Sequence, residues 1–321
     1  NGLRGKNDGM GHNGYVDCGG WNTTSVDWAW EFEEVGNGNY RIINSQNTDD
    51  RKYLGMTDDR RLQVDTDKSG ADNELNQWRL FTRAELDALW ASATAENPAD
   101  VTYMIHQNAF SQNDFEGDDK GQAKGDLESG LVGLKWESNA GSIWNWKGND
   151  ADGDYVFEVW NTSGDVYLKQ TVEGLRPGKY IVSCQGYYRD GNYESAIAGN
   201  DAQLAYLYAG TQDNKVALPS ILEGMNKGYG YGRDTNMDKL IPDGCAEAAH
   251  FFQMGCYKAQ VEVEVGIDGV LELGVFRGGE GVKEGDWIVV DNFRLTCVNV
   301  KEPLNGLAAV SAIELEPWGE E

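Results

Sequence analysis

Residues 255–298 read GCYKAQVEVEVGIDGVLELGVFRGGEGVKEGDWIVVDNFRLTCV, and this stretch constrains the fold more than any other. Three alternating runs occupy it, at 257–265, 270–277 and 287–297, divided by Gly266-Ile267-Asp268-Gly269 and by a Gly-rich acidic loop. Strict alternation over such lengths predicts strands with one buried face, and Asp268-Gly269 is a hairpin signal. The expectation is a three-stranded meander that closes an all-β domain. Its loop at 278–286 is the part expected to meet a ligand or a metal.

Turn signals recur along the rest of the chain. Strands are expected at 101–105, 131–136, 155–160, 165–172, 180–189 and 202–209, with Pro177-Gly178 turning the chain before the long run at 180–189. Eight or more short strands with almost no helix favour an antiparallel two-sheet sandwich of jelly-roll type. Forty-one Gly against six Pro, with eleven Trp and fifteen Tyr, fit a turn-rich β protein with aromatics to spare for surfaces. The one expected helix starts at Thr82, where Thr82-x-x-Glu85 forms a capping box and Leu86, Leu89 and Trp90 share a face, and it is expected to end before Asn97-Pro98. The resulting organisation is a small β region at 1–81, a connector helix at 82–100, a sandwich at 101–300 and a tail at 301–321.

Charge narrows the partners. Lys and Arg number 27 against 53 Asp and Glu, a net charge of −26, and such a field repels phosphate backbones, so nucleic acid is set aside. No run approaches the roughly 18 apolar residues of a membrane span. The first residue is Asn1, as in a mature or trimmed chain. Five cysteines match no zinc spacing; Cys245 and Cys256 either close a loop in an oxidising compartment or remain thiols, and Cys184 and Cys297 fall on strand-like runs.

Two resemblances to known families follow from motif order. In the first 81 residues, Trp30-Glu31-Phe32, Gly38-Asn39-Tyr40-Arg41-Ile42, Tyr53-Leu54-Gly55 and Trp78-Arg79-Leu80 resemble ricin-type β-trefoil repeats, two at most, in a domain that is either truncated or a smaller β unit. Across 101–300, the series Asn108-Ala109-Phe110, 166–172, 174–180 with Gly186-Tyr187-Tyr188-Arg189, 205–210, 251–257 and Trp287 with Asp291-Asn292-Phe293 resembles the galactose-binding-like jelly rolls of secreted bacterial polysaccharide-utilisation proteins. The resemblance implies a carbohydrate-binding-module fold, a glycan ligand and an extracytoplasmic location. It also implies a structural calcium, held by an acid after the first-strand Phe and by an Asp in the last strand. Asp291 matches the second position, while Ser111 follows Phe110 where the acid is expected.

Sugars offer an apolar C–H face and polar edges, so candidate ligand residues are aromatics in loops with polar neighbours. Trp144 and Trp146 lie in a Gly, Ser and Asn context, Tyr188 and Arg189 end a strand beside acidic residues, and Tyr231 lies in the run Tyr229-Gly230-Tyr231-Gly232-Arg233. Each has a structural alternative: core packing for the indoles, an ion pair with an aspartate for Arg189, a bare surface loop for Tyr231. No nucleophile motif, phosphate loop or H-E-x-x-H run occurs, and no pair of acids stands out as glycosidase machinery. The leading expectation is a secreted, non-catalytic glycan-binding protein. The alternatives are a glycoside hydrolase or its accessory segment, and a structural or adhesive surface protein. The segment after Pro303 reads as the start of a further unit, so a catalytic partner domain is an expectation as well.

Overall fold

The computed structural model describes residues 2–5, 16–19, 30–36, 38–44, 53–56, 62–65, 76–106, 136–144, 156–225, 240–278, 283 and 285–301. Near the N-terminus β1 (Gly2–Gly5) pairs with β2 (Val16–Gly19). A separate antiparallel sheet holds β3 (Trp30–Gly36), β4 (Asn39–Asn44), β5 (Tyr53–Met56), β6 (Leu62–Asp65) and β7 (Trp78–Arg79), in the order β3-β4-β5-β6 with β7 on β4. The β3–β4 hairpin turns where expected, through Gly36 and Gly38, both at positive φ. The Trp78 indole donates to the Leu54 carbonyl at 2.8 Å and ties β7 to β5.

Helix α1 (Arg83–Ala91) carries the capping box in full: Thr82 Oγ1 accepts from the Glu85 N–H, and the Glu85 carboxylate accepts from the Thr82 N–H. It ends at Ser92, five residues before Asn97, because the Ser92 N–H and hydroxyl turn back onto the Ala88 and Leu89 carbonyls. Only Trp90 of the helix is buried, and Leu89 is 49% exposed, so the apolar face is narrower than its spacing suggests.

Two five-strand paths make the sandwich. The remaining strands are β8 (Ala99–Asp100), β9 (Glu137–Ser138), β10 (Ser142–Trp144), β11 (Val156–Trp160), β12 (Val166–Val172), β13 (Gly178–Arg189), β14 (Ala205–Ala209), β15 (Thr211–Ala217), β16 (Lys258–Val265), β17 (Leu271–Arg277) and β18 (Trp287–Val300). One sheet runs β10-β11-β18-β13-β16, with β8 on β18; the other runs β15-β14-β17-β12-β9, and all pairs are antiparallel. The all-β antiparallel sandwich is thus as expected, but the segment 101–105 is not a strand: Thr102–Met104 forms a 3-10 turn.

The meander does not form. Strands β16, β17 and β18 make no pair with one another: β16 joins β13, β17 lies between β12 and β14, and β18 lies between β11 and β13. The turn after β16 carries the chain from one sheet to the other. Gly269, at φ +65, closes it by donating to Gly266 O and by accepting from the Leu175 N–H at 3.0 Å. Alternation reports that one face of a strand is buried and says nothing about its neighbour. Here the inward rows of β16 and β17 face each other across the core rather than side by side.

That core contains Leu168, Leu207, Leu273, Val290, Phe293 and Leu295, with Trp90 and Ala93 in the same cluster. Each such side chain contributes roughly 1.5–3 kcal/mol relative to exposure. Trp136 belongs to it as well, its ring 4.7 Å from that of Phe293. A second cluster lies on the other face of the six-stranded sheet. There α3 (Cys245–Gln253), named in sequence after the short helix α2 (Tyr193–Ile197), packs Ala248, Ala249, Phe251 and Phe252 over Tyr187, Trp287 and Val289. No disulfide joins Cys245 to Cys256. Among the described residues no helix is long and apolar enough to cross a membrane.

Candidate functional site

The expected ligand residues separate. Trp146 and Tyr231 lie outside the described residues, as does the side chain of Trp144. The Trp144 backbone is strand rather than loop, pairing with Val156 in β10–β11. Tyr188 and Arg189 lie at the end of β13, one facing the core and the other the opposite side.

Neither of these two offers itself to a ligand. Tyr188 is 1% exposed, and its hydroxyl donates to Asp286 Oδ2 at 2.7 Å; burial and the adjoining carboxylate push its phenol far above the ordinary value, so it remains a donor. Arg189 is 5% exposed and lies over the Trp287 indole at 4.7 Å. Its guanidinium donates to Gly191 O at 3.1 Å, to Asp243 Oδ1 at 2.9 Å and to Gly285 O at 3.2 Å. The structural alternative, an aspartate ion pair, is the one realised. A guanidinium desolvated to this extent is held by its partners, and here they fix three loops at one end of the sandwich.

Asp286 is the hub of that end. Fully buried, it also accepts from the Gly191 N–H and the Lys283 N–H, both at 2.6 Å. Asp190 accepts from the Ala202 N–H at 3.1 Å and from the Lys283 ammonium at 2.8 Å, and the Asp190 hydrogen bond raises the Lys283 pKa. Asn161, at φ 48, donates its N–H to Asp286 O and accepts from the Gly285 N–H. Asparagine tolerates the left-handed region because its short side chain can bond locally, as it does here.

On this scaffold stands one residue that the sequence reading passed over. Trp160, the last residue of β11, is 61% exposed. It is directly opposite Trp287, which is directly opposite Arg189, so the three form one row across β11, β18 and β13 on the same face. Glu158, two residues back on that face, accepts from the Trp287 indole N–H at 2.6 Å; burial raises its carboxyl pKa, against the hydrogen bonds that lower it. The arrangement can present an exposed indole on a paired strand end, with the Glu158 carboxyl two residues back on the same face. A Trp on the final strand position, followed at once by the turn Asn161-Thr162-Ser163-Gly164, was the available signal.

Asp291 lies within β18, opposite Gln185 and 7% exposed, rather than at the strand's opening. Among the described residues no group of three His, Cys, Asp or Glu could hold a metal ion. The other expected calcium position, at 108–111, lies outside the described residues. Burial pushes the Cys184 thiol far up, which removes it as a nucleophile.

No family model matches the chain, and no curated protein does. Among solved structures, a family-61 carbohydrate-binding module in complex with β-1,4-galactotriose is 16% identical over 50% of this chain and 86% of its own, with a TM-score of 0.26. A family-16 carbohydrate-binding module is 15% identical over 48% of this chain and 84% of its own, at 0.23. The adhesin domain of Lys-gingipain from Porphyromonas gingivalis is 14% identical over 50% and 89%, at 0.26. At such scores the likenesses say nothing about a ligand.

Proposed function

We propose that the protein is a non-catalytic carbohydrate-binding protein that stacks a sugar ring on Trp160 at the loop end of the sandwich. The observation behind this reading is the indole itself: a large apolar plane kept in water at 61% exposure, on a strand end held by the Asp286 and Arg189 contacts. A Trp side chain has only two torsions to lose when a ligand covers it, and the half-buried Glu158, two residues back on the same face, supplies an acceptor for a hydroxyl. The resemblance of 101–300 to galactose-binding-like jelly rolls supports the same ligand class and an extracytoplasmic location. The resemblance of 1–81 to ricin-type repeats adds a second sugar-binding type of unit to the proposal.

A glycan array with the wild-type protein and with Trp160→Ala tests it. The expected result is binding that falls about tenfold or more in the variant, equivalent to about 1.4 kcal/mol, with the melting temperature unchanged. A wild type that binds no glycan, or a variant that binds as well as the wild type, overturns the proposal. Trp144→Ala with Trp146→Ala, run beside it, shows whether the segment around β10 belongs to the same surface.

A further inference from the structure

The outer face of the six-stranded sheet is only partly covered by α3, and beyond the helix it forms a groove of about 580 Å3. Two rows of side chains pave it. Arg294, Ser183 and Gln260 lie opposite one another across β18, β13 and β16, and Gln185 and Lys258 form the next row. The groove's lining has two cations, Lys258 and Arg294, and no carboxylate, in a chain whose acids outnumber its bases by 53 to 27. Lys258 makes no ion pair among the described residues. Among the described residues Arg294 pairs only with Asp100, at 3.9 Å, with both side chains largely in water, where such a pair is worth little.

The amides between the cations are pre-set. Gln185 Nε2 donates to Phe252 O at 2.6 Å and to Cys256 O at 2.9 Å, which turns its Oε1 toward Asn292, whose Nδ2 donates to it at 3.0 Å. Asn292 itself lines the groove beside Gln185. Its backbone is left-handed, at φ 54, where the pairing of β13 with β18 slips between Ser183 and Gln185. Tyr257, beside Lys258, is left-handed too, at φ 58. Asparagine adopts that region readily, so Tyr257, buried and bulky, is the outlier of the two. From ideal strand spacing the Cα atoms of the two cationic residues are about 12 Å apart on the diagonal.

We propose that this groove is a second binding site, for a short chain of carboxylate-bearing sugars, with Lys258 and Arg294 each pairing a carboxylate and with Asn292, Ser183 and Gln260 meeting the hydroxyls between. The site is independent of Trp160. It is tested by titration calorimetry with short oligomers of galacturonate, glucuronate and mannuronate, each against a neutral oligomer of the same length. At least one acidic oligomer is expected to bind about tenfold or more tightly than its neutral counterpart, and added salt weakens it. Lys258→Gln with Arg294→Gln is expected to remove about tenfold or more of that affinity, while Trp160→Ala leaves it intact. The inference is overturned if no acidic oligomer binds, if acidic and neutral oligomers bind alike, or if the double variant binds as the wild type does. Loss in Trp160→Ala with retention in the double variant assigns the acidic ligand to the strand end and likewise overturns it.

Discussion

Replacing Asp286 by alanine tests how the loop end is held. The carboxylate takes three donors, the Tyr188 hydroxyl at 2.7 Å and the N–H groups of Gly191 and Lys283 at 2.6 Å each. Hydrogen bonds to a charged group contribute about 1.5–3 kcal/mol, and a buried donor left unpaired costs about 1–3. The Tyr188 hydroxyl has no route to water at 1% exposure, whereas Lys283 is exposed and its N–H can regain a water in part. About 4 kcal/mol of destabilisation is expected for Asp286→Ala. Tyr188→Phe removes a single donor and leaves the carboxylate two partners, so about 1.5 kcal/mol is expected there. Urea unfolding followed by Trp fluorescence measures both, with the slope checked for constancy. In the double variant the losses are expected to fall short of their sum by about 1 kcal/mol or more, since both changes act on one hydrogen bond. A loss below about 1 kcal/mol for Asp286→Ala, or strict additivity, refutes the hub.

Two further outcomes follow from geometry already described. Glu158 has a folded pKa raised chiefly by burial, so the native state holds its proton more tightly and stability declines as pH rises from the ordinary carboxyl value through the raised one. Glu158→Gln keeps an acceptor for the Trp287 indole, and its thermal stability is expected to exceed the wild type's at neutral pH, with the gap closing in acid; a gap independent of pH counts against this. Gly269→Ala places a Cβ 2.5 Å from Leu175 O at φ +65, and a loss of about 1–3 kcal/mol is expected in equilibrium unfolding, against no loss if the turn can relax.

The elements that sequence made legible are those with local causes. The Gly36 to Asn39 turn and the Thr82 capping box depend on residues within a few positions of one another, and both form as read. The strands β11, β12, β13, β16, β17 and β18 also follow from alternation. Their partners do not, because pairing across a sandwich is set by the summed fit of distant faces. Hence the misread meander. Helix α3 lies where Ala-rich and Phe-rich residues permit either state, and its apolar side is matched to Tyr187 and Trp287 far along the chain. At the candidate site, a Tyr-Arg pair ending a strand reads alike whether it faces a ligand or a buried aspartate. Asp286 decides, 98 residues from Tyr188. Trp160 was hidden for the opposite reason, since an exposed indole on a strand looks in sequence like one in the core.

Strand β8 pairs with the far end of β18, Ala99 opposite Cys297 and Asp100 opposite Thr296, so the polypeptide enters and leaves the sandwich side by side. Tension applied through those two ends acts across the strands rather than along them, and it meets the pairs one after another. The Trp90 indole, bonded to the Tyr180 hydroxyl at 3.0 Å, lies upstream of β8, so a pull from the N-terminal side meets that core anchor before it meets the β8 pairs. The loop end lies at the opposite pole, where β11 stops and β18 starts. The chain's entry and the Asp286 contacts therefore lie at opposite ends of β18, separated by the length of that strand.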